Sequence, residues 1–356
     1  EISARGSTVG TEIRGGVVTF IAMAYIIVLN PIILSGAADV VGHKLGFTQV
    51  SAVTALAAGV MTILFGVVAR LPFAFAAGLG INSFLASSVV GSLTWPEAMG
   101  LVVINGLIIV ALAISGLRKL IFDAVPMPLK LAITAGIGLF ILFIGLIDAG
   151  FVGSTGLPSP PLGLGAKGAG SITTIPTLIF VLTLLVTGIL VARKVRGGIL
   201  IGLIAGTVVA VVVEAVWHLG SAVDKPGGWS LSVPTLTGSP FAVPDLSLVG
   251  DFSLASFGRI GILAGIMLVF TLVFTNFFDA MGTFTGLSRQ AGLADAQGNF
   301  PRLQSALVVE GAGAVVGGAV SASSNTVFIE SGTGIGEGAR TGLASVIGAT
   351  MSSRPC

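Results

Sequence analysis

Apolar segments recur along this chain at the length a lipid bilayer demands. Windows of roughly 18–22 mainly apolar residues fall at about 15–36, 49–69, 97–116, 128–148, 172–192, 198–219, 259–282 and 303–320. A helix rises about 1.5 Å per residue, so each window can cross a hydrocarbon core of roughly 30 Å. With 54% hydrophobic and 9% charged residues, the chain reads as an all-α polytopic membrane protein. Two more windows, at about 74–92 and 324–340, are too short or too Gly-rich to be ordinary spans. Irregular backbone at membrane depth persists only where protein buries it or where it lines a cavity. A binding site is therefore expected there. A further apolar run begins near Thr341 and Cys356 ends it about 15 residues on, which predicts a chain cut short within its eleventh span.

Charge and ligand-type residues exclude several functions. The lone cysteine, Cys356, and two histidines, His43 and His218, give no disulfide framework and no metal cluster. No metal or cofactor is expected. The net charge of +2 is spread over loops, so nucleic acid is not an expected partner. No cleavable signal peptide is evident. With a cytoplasmic N-terminus, twelve of the seventeen Lys and Arg fall inside: Arg5, Arg14, Arg70, Arg118, Lys119, Lys130, Arg193, Lys194, Arg196, Arg289, Arg302 and Arg340. Lys44, Lys167, Lys225 and Arg259 fall outside, and Arg354 is unassigned. This bias holds only if both short windows cross the bilayer. It predicts a multi-pass plasma-membrane protein with external connections at about 149–171 and 220–257.

A weak internal repeat points the same way. Asn82, in FAFAAGLGINSFLASS, and Glu330, in GAVSASSNTVFIESGTG, lie 248 residues apart; Asn30 and Asp279, in the first and eighth spans, lie 249 apart. Seven spans precede the eighth, and an odd number per copy inserts the second copy upside down. The predicted repeats are 1–257 and 258–356. Interrupted segments at matching places in two inverted halves mark a transporter binding site.

An acid at membrane depth costs roughly 2.5–3.5 kcal/mol on insertion scales, which makes it a functional candidate. Asp279, in TNFFDAMGTFTG, lies late in a long apolar helix beside Phe277 and Phe278; the plainer reading is a helix-end acid in cytoplasmic water. Glu330 falls in the first turns of a helix expected to begin near Thr326, where backbone N–H groups point at the cavity. The plainer reading there is a capping acid. Asn82 offers a donor and an acceptor, or bridges two broken helices. Asn30, Asn105 and Asn276 read as helix–helix hydrogen bonds. Glu310 either anchors the broken helix to its neighbour or joins proton coupling, with the anchor favoured. Glu214 and His218 read as interfacial.

These stretches resemble the nucleobase–cation symporter family 2, the xanthine/uracil permease superfamily, and within it the azaguanine-type purine permeases. The matching text is EIRGGVVTFIAMAYIIVLNP at Glu12–Pro31, AAGLGINSF at Ala76–Phe84 and FFDAMGTFTGLSRQAGL at Phe277–Leu293. It continues with PRLQSAL at Pro301–Leu307 and SSNTVFIESGTGIGEGARTGL at Ser323–Leu343. The resemblance runs essentially end to end. It implies fourteen spans in two inverted seven-span repeats, with a core from spans 1–4 and 8–11 and a gate from spans 5–7 and 12–14. Spans 3 and 10 would each be a short strand plus a half-helix. By position, Asp279 and Glu330 match the family's two substrate-contacting acids and Asn82 its span 3 polar residue. Phe278, Thr283, Ser83 and Phe328 are expected to line the same site, with Glu310, Asn30 and Asn276 behind it. The implied substrate is a purine nucleobase such as adenine, guanine or hypoxanthine. A carboxylate in a dry cavity is disfavoured as an anion, so a proton rather than sodium is the expected coupling ion. The superfamily includes homodimers, which makes a second copy a candidate partner.

Three rivals remain open in the sequence. Uracil or xanthine transport is the nearest, and only the motifs favour purines. An anion transporter of the same architecture would face repulsion from two acids. A membrane-embedded hydrolase using Asp279 and Glu330 would need a water site and a cleavable substrate that nothing in the sequence specifies.

Overall fold

The computed structural model describes residues 2–352 except 158, 166–171, 194, 196–197, 223–224, 226, 231–232, 236–243 and 296–298. Lys167, Lys194, Arg196, Arg354 and Cys356 lie outside the described residues. The chain divides into two compact units, Glu1–Thr134 with Pro240–Cys356, and Ala135–Ser239.

The first unit opens with α1 (Val9–Met23) and α2 (Ile26–Gly36), one apolar stretch broken at Ala24–Tyr25. Pro31 inside α2 has no N–H for the carbonyl of Ile27. Ser51 of α3 (Phe47–Val68) fills that vacancy, its Oγ donating to Ile27 O at 2.7 Å. The chain then extends as β1 (Phe75–Ala77), turns into α4 (Leu79–Phe84) and continues as a π-helical turn over Leu85–Val89. α5 (Trp95–Ile114) starts on a capping box between Thr94 and Glu97. Arg259 of the short α10 (Ser256–Ile260) pairs with Glu97 at 2.7 Å. The short α6 (Leu117–Ala124) follows α5 and leads to α7 (Met127–Asp148).

The second unit takes up most of α7, a β2–β3 hairpin (Val152–Ser154, Leu162–Leu164), α8 (Ile175–Ala192) and α9 (Gly198–Trp217). Glu214 is buried near the end of α9, accepting from Trp229 Nε1 at 2.8 Å and Gly220 N at 3.2 Å.

The chain returns to the first unit with α11 (Ile262–Gln290), α12 (Leu303–Ala319), β4 (Asn325–Val327), α13 (Ser331–Gly336) and α14 (Gly342–Ser352). Five stretches among the described residues are long and apolar enough to cross a membrane: Val9–Gly36, Phe47–Val68, Trp95–Ile114, Ile175–Ala192 and Ile262–Gln290. The fold is thus mostly helical and multi-pass.

The strands β1 and β4 pair antiparallel, with Phe75 opposite Val327, Ala76 opposite Thr326 and Ala77 opposite Asn325, all buried. Two strands in an apolar interior leave outer edges that need partners. Thr62 of α3 supplies one: its Oγ1 accepts from Phe75 N at 2.9 Å and donates to Phe75 O at 3.4 Å. Ser331 supplies another, accepting from Ala74 N at 2.9 Å and donating to Phe328 O at 2.7 Å. The turn from α12 into β4 is tight enough to put Ser321 and Ser323 at positive φ (57° and 67°). It packs so closely on α12 that a Cβ at Gly317 would lie 1.9 Å from Ser323 O.

Candidate substrate site

The paired strands deliver two half-helices to one place. α11 packs against both α4 and α13, so the segments carrying Asn82, Asp279 and Glu330 meet within the first unit. Asp279 is half-buried on α11, with the ring of Phe277 perpendicular to that of half-buried Phe278 at 5.3 Å. Thr283, one turn on from Asp279, is buried. Asp279 lies on the helix α11 that packs against α13, whose N-cap is Glu330.

Glu330 differs from expectation. The helix does not begin near Thr326, because Asn325–Val327 are drawn into the ladder with β1. α13 begins at Ser331, and Glu330 occupies its N-cap position with no side-chain capping bond. Its Oε1 accepts instead from the hydroxyl of Tyr25 at 2.6 Å. Tyr25 stands at the α1–α2 break, its ring 6.3 Å from that of Phe328, which is buried. Sequence reasoning missed Tyr25. The available signal was that it is the chain's single tyrosine, inside an apolar span.

Asn82 is fully buried on α4 and donates through Nδ2 to Asn30 Oδ1 at 2.6 Å, while its own Oδ1 has no protein partner. Asn30 donates in turn to Thr54 Oγ1 at 2.7 Å and Ala322 O at 3.2 Å. This bond joins α4 to α2 and leaves one acceptor of Asn82 over. Ser83 beside it is half-buried. Asn105 and Asn276, expected to form helix–helix hydrogen bonds, are fully buried with neither amide atom bonded to protein.

Glu310 pairs with Arg118, and both side chains are almost completely buried. This corrects the reading of Arg118 as a cytoplasmic loop cation. The turn after α5 folds inward at α6, so Arg118 donates to Leu307 O at 2.9 Å and lies over the Phe277 ring, 5.7 Å from its centroid. Glu310 also accepts from Thr326 Oγ1 at 3.4 Å. It ties α12 to β4 as well as to α6. A cavity between α1, α3 and α14, bordered by Thr19, Thr62 and Ser345, is lined by none of Asp279, Glu330 or Asn82. Among the described residues no cluster of His, Cys, Asp and Glu could hold a metal.

A mostly helical bundle with long apolar helices and two strand-plus-half-helix segments has the build of a solute permease. The chain belongs to the xanthine/uracil permease group: the family model described as "Permease family" matches residues 10–353. It is 35% identical to the guanine/hypoxanthine permease PbuG of Bacillus subtilis, over 96% of this chain and 73% of that protein. It is 33% identical to the adenine permease AdeP of Escherichia coli, over 96% of this chain and 70% of that protein. Among solved structures, the transmembrane domain of the cyanobacterial bicarbonate transporter BicA superposes with a TM-score of 0.55 at 17% identity. That match covers 96% of this chain and 80% of the other, and it speaks to the fold alone.

Proposed function

We propose that this permease carries purine nucleobases, such as adenine, guanine or hypoxanthine, with a coupled proton by alternating access. The observation that carries the reading is the packing of α11, which bears Asp279, against both half-helices, α4 bearing Asn82 and α13 capped by Glu330. A planar purine presents N–H groups and ring acceptors in one plane. Two carboxylates can take the N–H groups, each charge-assisted bond contributing roughly 1.5–3 kcal/mol. Asn82, with its free Oδ1, supplies a further acceptor. Phe278, Phe328, Thr283 and Ser83 form the surrounding wall. The names of the relatives, guanine/hypoxanthine and adenine permeases, support the substrate class.

Charge balance supports cation coupling. The site's segments carry three carboxyls, Asp279, Glu310 and Glu330, and the guanidinium of Arg118 is paired with one of them, Glu310. A neutral purine does not offset that excess, whereas an entering proton does. An anion would meet the same excess as repulsion. In this reading the chain's 1–257 and 258–356 segments belong to two inverted seven-span repeats. The unit Glu1–Thr134 with Pro240–Cys356 acts as core and Ala135–Ser239 as part of the gate. The protein sits in the plasma membrane with its N-terminus in the cytoplasm, and a second copy of the chain is a candidate partner.

The test is uptake of radiolabelled hypoxanthine and adenine into proteoliposomes, with and without an inward proton gradient, for wild type, Asp279→Ala and Glu330→Ala. Gradient-driven uptake lost in both variants is the expected result. Uptake indifferent to the gradient removes proton coupling. No purine uptake by wild type sinks the substrate class.

A further inference from the structure

We infer that Tyr25 is a positioning residue for Glu330, and that the α1–α2 break is the brace that sets both half-helices at the substrate site. The inference rests on the purine-transport reading for its consequence, though not for its geometry.

Tyr25 stands in the turn between α1, which ends at Met23, and α2, which begins at Ile26, and its backbone keeps right-handed helical angles. From there its hydroxyl reaches across 305 residues of sequence to Glu330 at 2.6 Å. Five residues on, Asn30 of the same helix receives Asn82 of α4 and also bonds Ala322, in the turn that leads into β4. One broken helix thus holds a polar residue from each crossing. Glu330 needs such a hold, because it sits at the start of α13 and no side-chain capping bond fixes it there. A carboxylate on a free rotor has many orientations, and each must be given up when a ligand N–H binds. With Oε1 occupied by the phenol, Oε2 is the oxygen left for a substrate N–H. Tyr25 is 38% exposed, so the hydrogen bond forms at the edge of the site rather than deep in the core. The hydroxyl, not the ring, is what acts. Phenylalanine would keep the contact with Phe328 and lose only the donor.

The experiment compares wild type, Tyr25→Phe and Tyr25→Leu, each also in a Glu330→Gln background. Equilibrium binding and uptake of radiolabelled hypoxanthine are measured in proteoliposomes, and the infrared carboxyl bands in the same samples. Tyr25→Phe is expected to raise KM and Kd about tenfold, the scale of one hydrogen bond to a charged group, with Vmax within about twofold. It should also shift a carboxyl band that Glu330→Gln removes. In the Glu330→Gln background the same substitution should change neither Kd nor the infrared spectrum further. An unchanged KM in Tyr25→Phe with a defect in Tyr25→Leu overturns the proposal, because the ring then carries the role. A tenfold loss that persists beside Glu330→Gln overturns it too. If wild type binds no purine, the transport reading fails by itself. The infrared comparison then still decides whether Tyr25 holds Glu330.

Discussion

In the first crossing β1 runs into α4 and presents an amide, Asn82; in the second β4 runs into α13 and presents a carboxylate, Glu330. Each is met by a residue of the α1–α2 segment, the amide by an amide and the carboxylate by a phenol. Behind the first crossing lie neutral groups, Asn30 and Thr54. Behind the second lies a buried ion pair, Arg118 with Glu310, hydrogen-bonded to β4 through Thr326. The backbone plan is shared and the electrostatics are not. The ionisable groups are concentrated behind the second crossing, so a change of charge there is expected to act on β4 and α13 more than on β1 and α4.

The sharpest way to break this comparison is to remove the charge behind the second crossing. Arg118→Ala leaves Glu310 buried without its counter-ion and should cost about 3–5 kcal/mol of stability. Asn82→Ala on the neutral side should cost about 1 kcal/mol. Denaturant unfolding in detergent reads both. Replacing Arg118 and Glu310 together with methionine should recover most of the loss. Equal costs for the two single variants would mean that the ion pair is no special feature of the second crossing.

Uptake sharpens the comparison next. Glu330→Ala should lower uptake efficiency at least about 100-fold, near 2.7 kcal/mol, and Asn82→Ala about tenfold, near 1.4 kcal/mol. The difference arises because Glu330 would bind substrate as a charged acceptor, whereas Asn82 already spends its donor on Asn30. Indistinguishable losses would assign the two crossings the same role.

Close packing separates the crossings by a smaller margin. At Gly317, under the second crossing, an added Cβ meets the backbone oxygen of Ser323 at 1.9 Å, and backbone has little room to shift. Gly317→Ala should cost about 1–3 kcal/mol. At Gly78, in the first crossing, the nearest atom is the Thr326 methyl carbon at 3.2 Å. Gly78→Ala should cost less than about 1 kcal/mol. Melting temperatures of the purified variants would show a reversed order if the second turn were the more yielding.

Much of this plan was legible in the chain because bilayer thickness fixes span length, and Gly-rich windows with polar centres betray broken spans. The windows at 74–92 and 324–340 became β1–α4 and β4–α13 for that reason. What escaped was pairing across sequence distance. Arg118 looked like a loop cation because an Arg–Lys dipeptide between apolar runs commonly faces the cytoplasm; its partner Glu310 is 192 residues away in the chain. Tyr25 stood out only as the chain's single tyrosine, and nothing local distinguishes a tyrosine that packs from one that reaches an acid. The start of α13 was misplaced because Thr326 and Val327 suit either a helix or a strand, and the decision came from β1.

The two crossings are also fastened where they end, and here the comparison yields a small effect that pH switches off. After the second, Glu12 of α1 accepts from the backbone N–H of Arg340 at 2.9 Å and Thr341 at 3.3 Å. After the first, Asp39 in the loop beyond α2 accepts from Trp95 N at 3.1 Å, Val41 N at 3.0 Å and His43 N at 2.8 Å. Burial works against charge on Asp39, yet these backbone donors, Trp95 first, outweigh it and hold its pKa below the ordinary 3.8. A carboxyl with a depressed folded-state pKa contributes stability that is fully present above its unfolded value and is lost as pH falls through the folded one. Asp39→Asn should therefore lower stability by about 1 kcal/mol near pH 7. The gap between wild type and variant should stay constant down to about pH 5 and close as pH drops below 3.8. Melting curves across that range check the sign. A gap that widened on acidification would mean that Asp39 is held by something other than its charge, and that the two crossings are fastened by different means.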